Sequence, residues 1–254
     1  MFPALVTGIA VMEMARYRQL DEQRILETLQ KLRDRISERF PESGLRRVSD
    51  ELLLVGAEVT ECVDYLRKPN WPIRLAAAVA ILAMATLLVM VAATVRVPWR
   101  FQGPAEILQL VDAGVNDIVF VGIAVFFLLT IETRLKRRRA LGVLHQLRSL
   151  AHVVDMHQLT KDPERLLSPE PDTSSSPERT MTASELGRYL DYCSELLSVT
   201  SKLSALLVQY FNDEVVLGAV NEIETLTTGL SGKIWQKIRM LSFVGPGPGV
   251  SGAV

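Results

Sequence analysis

Cysteine is scarce in this chain, since Cys62 and Cys193 are the only two among 254 residues. They lie in different segments and lack the paired spacings that are typical of disulfide frameworks and zinc sites. Each falls within an apolar pattern of helical spacing. We therefore interpret both as buried, reduced core residues of a protein in a thiol-reducing compartment.

An excess of basic charge is also lacking, because 28 Lys and Arg are balanced by 29 Asp and Glu. A protein that binds nucleic acid usually carries a clear basic excess, so no nucleic-acid partner is expected. The chain has no phosphate loop, no dinucleotide fingerprint, no HExxH helix and no activated serine or cysteine nucleophile. The sequence therefore predicts a non-enzymatic protein without a cofactor.

Long uncharged runs, in contrast, are present. Leu75 to Val95 contains no charged residue and is closed by Arg74 and Arg96. At about 1.5 Å per residue, this run covers roughly 30 Å, the thickness of a bilayer's hydrocarbon core. A second run, Ile118 to Ile131, becomes long enough if residues 113–117 belong to the same helix. We predict two membrane spans, at about 73–96 and 113–132.

The basic residues indicate the orientation of these spans. Three of them precede the first span, and a basic flank follows the second: Arg134, Lys136, Arg137, Arg138 and Arg139. Only Arg96 and Arg100 lie between the spans. The positive-inside rule therefore places both termini in the cytoplasm of a multi-pass protein, and we expect the cell inner membrane. The basic flank is also a candidate site for anionic lipid headgroups.

The predicted fold class is an all-α membrane protein, a two-span transmembrane helical hairpin with long cytoplasmic amphipathic helices on both sides. Apolar residues at three-four spacing predict these helices, and Thr182 with Glu185 predicts a capping box. Two examples of such stripes before the membrane are Leu29, Leu32 and Ile36, and Leu52, Val55 and Val59. The predicted segments are 1–70, an N-terminal helical hairpin; 71–133, the transmembrane hairpin; 134–167, a helical stalk; 168–181, a flexible linker; 182–242, a C-terminal helical pair; and 243–254, a disordered tail.

The amphipathic helices carry more apolar surface than one antiparallel pair can cover. Exposed apolar surface of that extent usually marks an association site. Our leading hypothesis is therefore a scaffold or accessory subunit that assembles with copies of itself through its cytoplasmic helices, as a helical bundle or coiled coil. Its expected partners are further copies, membrane lipids including anionic ones, and a partner protein complex.

A polar ridge follows the second span. His145, Arg148, His152 and Asp155 repeat at steps of three and four, so they lie on nearly the same side of one helix. The simplest interpretation is a ridge that hydrogen-bonds to neighbouring helices. An alternative is a metal shared by His152 and Asp155 with ligands from another helix, which would make the protein a membrane-tethered metal-binding enzyme.

A second polar stripe lies at the outer end of the second span and consists of Gln109, Asp112, Asn116 and Asp117. In a single hairpin these groups would remain in the wet interface. In a ring of subunits they would line an acidic mouth that attracts cations. An oligomeric cation channel is therefore the alternative to the scaffold.

Overall fold

The computed structural model describes residues 18–94, 104–163, 174 and 181–242. These residues are all-helical and contain no strand, which confirms the all-α prediction. The predicted linker lies outside the described residues except for Ser174 and Met181. Residues 95–103 and the predicted tail at 243–254 also lie outside them. The helices are α1 Glu22–Arg39, α2 Gly44–Arg67, α3 Trp71–Thr94, α4 Pro104–Leu159, α5 Ala183–Tyr210 and α6 Glu214–Ser242.

The helix ends follow from local sequence. The Asp21 carboxylate accepts hydrogen bonds from the first backbone N–H groups of α1. The predicted capping box is confirmed, because Thr182 accepts from the Glu185 N–H and the Glu185 carboxylate accepts from the Thr182 N–H. Pro104 opens α4, where its missing N–H costs nothing.

The chain divides into two compact units. The first, called the bundle here, contains α1, α2, α5, α6 and the part of α4 from Arg139 onward. The predicted apolar stripes form its core, with almost no exposure of residues such as Leu29, Leu32, Leu52, Val59, Cys62, Leu147, Tyr189, Cys193, Leu196, Leu203, Val220 and Ile234. Both cysteines are free and buried, as predicted.

The end of α4 differs from the predicted stalk. Val143, Leu144, Leu147, Ala151 and Val154 are buried in the bundle core, so the segment after Arg139 packs rather than projects. Its apolar residues repeat at helical spacing and are covered by the other helices of the bundle. The wide apolar face of α5 likewise lies against α1, α2 and α6 of the same chain. The excess apolar surface that suggested self-assembly through these helices is therefore largely covered within one molecule.

The second unit, residues 68–138, contains α3 and the first part of α4, called the apolar pair here. No residue of α3 is buried, and large side chains such as Leu82, Ile118 and Phe126 are exposed. Both helices are long and apolar enough to cross a membrane, and no residue of their most apolar windows is buried.

Candidate functional site: an ion cluster at the base of the apolar pair

Glu132 ends the apolar run of α4 and is the centre of an ion cluster with Arg74 and Lys136. Arg74 lies in the first turn of α3, after a break at residues 68–70. Lys136 lies one turn beyond Glu132 on α4, at the i,i+4 spacing at which opposite charges meet. Helix periodicity and the break before α3 thus place the three charges together.

The contacts of the cluster are short. The Arg74 Nε–H donates to Glu132 Oε2 at 2.6 Å, and the backbone N–H of Asn70 donates to Oε1 at 3.1 Å. The Lys136 ammonium lies 3.1 Å from Oε1 and donates a further hydrogen bond to the Lys68 carbonyl at 2.9 Å. Glu132 therefore connects both helices and the segment that precedes α3.

Burial makes this cluster different from an ordinary surface ion pair. The Glu132 and Lys136 side chains are only 13% and 10% exposed, whereas Arg74 is 55% exposed. A charge so nearly removed from water is stable only when it is paired and hydrogen-bonded. Two cations and one anion leave these three groups with a net charge of +1. The cluster therefore fixes the base of the pair and presents one accessible guanidinium.

A groove of about 420 Å³ lies beside this cluster, between α3 and α4. Its walls are apolar and include small residues, and its polar end is formed by members of the cluster and one hydroxyl. The lining includes Ile73, Ala77, Ala78, Ile81, Leu128 and Ile131 on the apolar side, and Arg74, Glu132 and Thr133 on the polar side. The groove is thus amphipathic along its length.

The residues of the predicted basic flank lie in different surroundings. Lys136 is buried in the cluster rather than exposed to solvent, and the Arg134 guanidinium lies 5.2 Å from the Phe127 ring centroid. Arg139 belongs to the bundle, where it pairs with Glu61 at 3.2 Å. Arg138 is exposed and Arg137 is half-buried. The flank is therefore not one uniform basic surface.

The predicted polar ridge lies on the bundle part of α4. His145, Arg148 and His152 are exposed, and Asp155 is half-buried. Arg148 donates to Glu222 of α6 at 2.8 Å, while Asp155 accepts from the Gln158 amide at 2.6 Å. Among the residues that the structure describes, no three His, Cys, Asp or Glu side chains are grouped to hold a metal ion.

The predicted pore mouth lies on the first turns of α4. The side chains of Asp112, Asn116 and Asp117 are exposed, and the Gln109 side chain lies outside the described set. Within the described part of α4, no hydrogen bond or ion pair joins these three side chains to one another. The acidic mouth consequently stays a prediction about an assembly of several chains.

The third histidine, His157, differs from the two histidines of the ridge. It is half-buried against the start of α2, where a Cβ on Gly44 would collide with the imidazole Cε1. Burial lowers the pKa of His157, and the nearby cations Arg47 and Lys161 lower it further. The folded bundle therefore favours the neutral imidazole.

We expect this histidine to make the bundle less stable in mild acid. A histidine in the unfolded chain titrates near pH 6.5, so lowering the pH from there through the lower folded pKa favours the unfolded state. In His157→Gln, the melting temperature should fall less between pH 7 and pH 5.5 than in the wild type. His145→Gln is the matched control on an exposed site, and a wild-type slope in His157→Gln would contradict the expectation.

Sequence reasoning missed Glu132 and its partners. The available signal was a lone acid at the end of an apolar run, four residues before a lysine. The basic residues around it were interpreted as a topology signal and as a site for lipid headgroups, not as partners of Glu132. Asn70 contributes through its backbone N–H, which side-chain patterns do not reveal. Comparison of the chain with known protein families, with curated proteins and with solved structures finds no match.

Proposed function

We propose that this chain is a non-enzymatic integral membrane protein that acts as a scaffold or accessory subunit. In this proposal α3 and α4 cross the cell inner membrane, and the bundle and both termini lie in the cytoplasm. The single observation that carries the proposal is the contrast between the two units. The bundle buries its apolar stripes, whereas α3 buries no residue over 24 positions.

Two further features support the membrane location. Side chains such as Leu82 and Phe126 are exposed, and contact between this apolar surface and water is unfavourable. Lipid tails are as apolar as these side chains and remove that cost. The charged cluster lies at the end of the apolar pair at which the basic flank begins, as expected at a cytoplasmic interface. The proposed orientation follows from this distribution of basic residues.

The structure changes where we expect association between copies. Because the bundle covers most of its own apolar stripes, we now propose self-association through the apolar pair, whose helices remain exposed. The bundle retains exposed large apolar residues, including Trp235 and Met156, as candidate contacts for a partner complex. Tryptophan is frequent among residues that dominate binding at protein interfaces.

Two measurements on the full chain test this proposal. The protein should stay in the membrane pellet after alkaline carbonate extraction, and it should contain more than one copy per particle in mild detergent at low micromolar concentration. Release from the membrane would contradict the membrane location. A monodisperse monomer would contradict self-association, even if the protein remained in the membrane.

The same preparation separates the scaffold from its two rivals. A scaffold should pass no cations in proteoliposomes and should contain no stoichiometric transition metal by elemental analysis. Cation flux that is lost in Asp117→Ala would replace the scaffold by the channel. One bound metal per chain that is lost in His152→Ala would favour the metal-binding enzyme.

A further inference from the structure

We infer that the groove between α3 and α4 binds one anionic phospholipid, with an acyl chain along its apolar walls and the phosphate at Arg74. The inference rests on the proposed insertion of the apolar pair in a membrane. It concerns a defined binding site for one lipid molecule, in addition to the general attraction of a basic flank for a negative membrane surface.

The apolar part of the groove suits an acyl chain. Ala77 and Ala78 on α3 and Leu128 and Ile131 on α4 line a space of about 420 Å³ between the helices. This volume lies within the range of about 300–1,000 Å³ that is common for small-molecule sites. In a bilayer, such a groove is filled either by a lipid tail or by another helix.

The polar end of the groove suits a phosphate. Arg74 uses its Nε–H for Glu132, yet its side chain is 55% exposed. A guanidinium has five N–H donors in a planar fork, so further donors are available to match two phosphate oxygens. Lys136 and Arg74 both pair with the Glu132 carboxylate. These three groups together carry a net charge of +1, which attracts an anion.

Charge also favours a lipid over a second copy of the chain as the occupant. In a symmetric dimer, the same surface patch of each copy meets its counterpart. Two copies that met at this groove would bring two clusters of net positive charge together, which is unfavourable near lipid tails. An anionic phospholipid supplies the opposite charge and the apolar chain in one molecule.

Native mass spectrometry of the full-length protein tests the inference. The protein is reconstituted in nanodiscs that contain equal amounts of phosphatidylglycerol and phosphatidylcholine, and the lipids that remain bound after release are counted. We expect one phosphatidylglycerol per chain, retained at least about fivefold over phosphatidylcholine. One basic side chain near a membrane surface favours an anionic lipid by about this factor.

Two variants address the two ends of the site. Ala77→Leu fills the groove without altering the ion cluster and should reduce the retained phosphatidylglycerol at least tenfold. Ala92→Leu is the matched control, because it makes the same change on α3 about 22 Å further along the helix axis. Arg74→Gln should keep a bound lipid but lose the preference for the anionic headgroup.

Three results would overturn the inference: equal retention of the two lipids by the wild type, unchanged retention in Ala77→Leu, or a dimer without lipid that Ala77→Leu dissociates. The last result would identify a second copy as the occupant. In each case carbonate extraction distinguishes a failure of the lipid site from a failure of membrane insertion. A chain that stays in the membrane without a retained lipid contradicts the lipid site alone, whereas a chain that is extracted contradicts membrane insertion.

Discussion

Leu52→Ala should lower the free energy of unfolding of the bundle by about 2–5 kcal/mol, the usual cost of truncating a leucine in a filled core. Leu52 is 1% exposed and belongs to the core that α1, α2, α4, α5 and α6 share. The two native cysteines report on this unit alone, because both are buried in it. Thiol labelling of the folded full chain in detergent therefore measures how often the bundle opens.

Burial also protects these thiols chemically. It raises the pKa of Cys193 to about 12 and raises the pKa of Cys62, so neither forms a thiolate readily in the folded bundle. A destabilisation of at least about 2 kcal/mol should speed labelling roughly thirtyfold, since each 1.4 kcal/mol is a factor of ten. Leu54→Ala is the matched control two residues away, because Leu54 is 62% exposed. Equal acceleration in both variants would contradict the assigned buried face of α2.

Glu132→Ala should destabilise the base of the apolar pair by about 3 kcal/mol, the lower end of the cost of breaking a buried ion pair. The change removes the acceptor for Arg74, for Lys136 and for the Asn70 N–H at once. Lys136 is the main cause of the expected loss, because its nearly buried ammonium would lose the carboxylate that compensates its charge. Unfolding of the detergent-solubilised protein by increasing SDS, followed by circular dichroism, measures the effect.

Glu61→Ala is the control for this measurement. Glu61 pairs with Arg139 at 3.2 Å, but its side chain is 73% exposed. Exposed pairs of this kind contribute about 0–1 kcal/mol, so the control should unfold nearly as the wild type does. If Glu132→Ala behaved like Glu61→Ala, the cluster would not hold the pair together.

Much of the helical architecture follows from sequence periodicity. The stripe of Leu29, Leu32 and Ile36 and the stripe of Leu52, Val55 and Val59 are buried as predicted. These features are local, because spacing and caps determine which face of a helix is apolar and where it ends.

The partners of those faces could not be predicted in the same way. Periodicity shows that Leu144 and Leu147 belong to a buried face, but it does not say whether another copy or the same chain covers it. In the structure the same chain covers this face, so the predicted stalk is part of the bundle core. The cluster at Glu132 depends on residues about 60 positions apart in the chain, and so requires the tertiary arrangement.

Labelling of single introduced cysteines in intact cells tests the central claim, that the chain crosses the membrane twice and returns to the cytoplasm. Cys62 and Cys193 are buried, so labelling of the wild type gives the background signal. Glu58→Cys lies before α3, Ser149→Cys lies on the bundle part of α4, and Gln102→Cys lies between the spans. With a membrane-impermeant maleimide, we expect Gln102→Cys to be labelled in intact cells, and Glu58→Cys and Ser149→Cys only after permeabilisation. Labelling of Glu58→Cys or Ser149→Cys in intact cells, or protection of Gln102→Cys, would contradict the account.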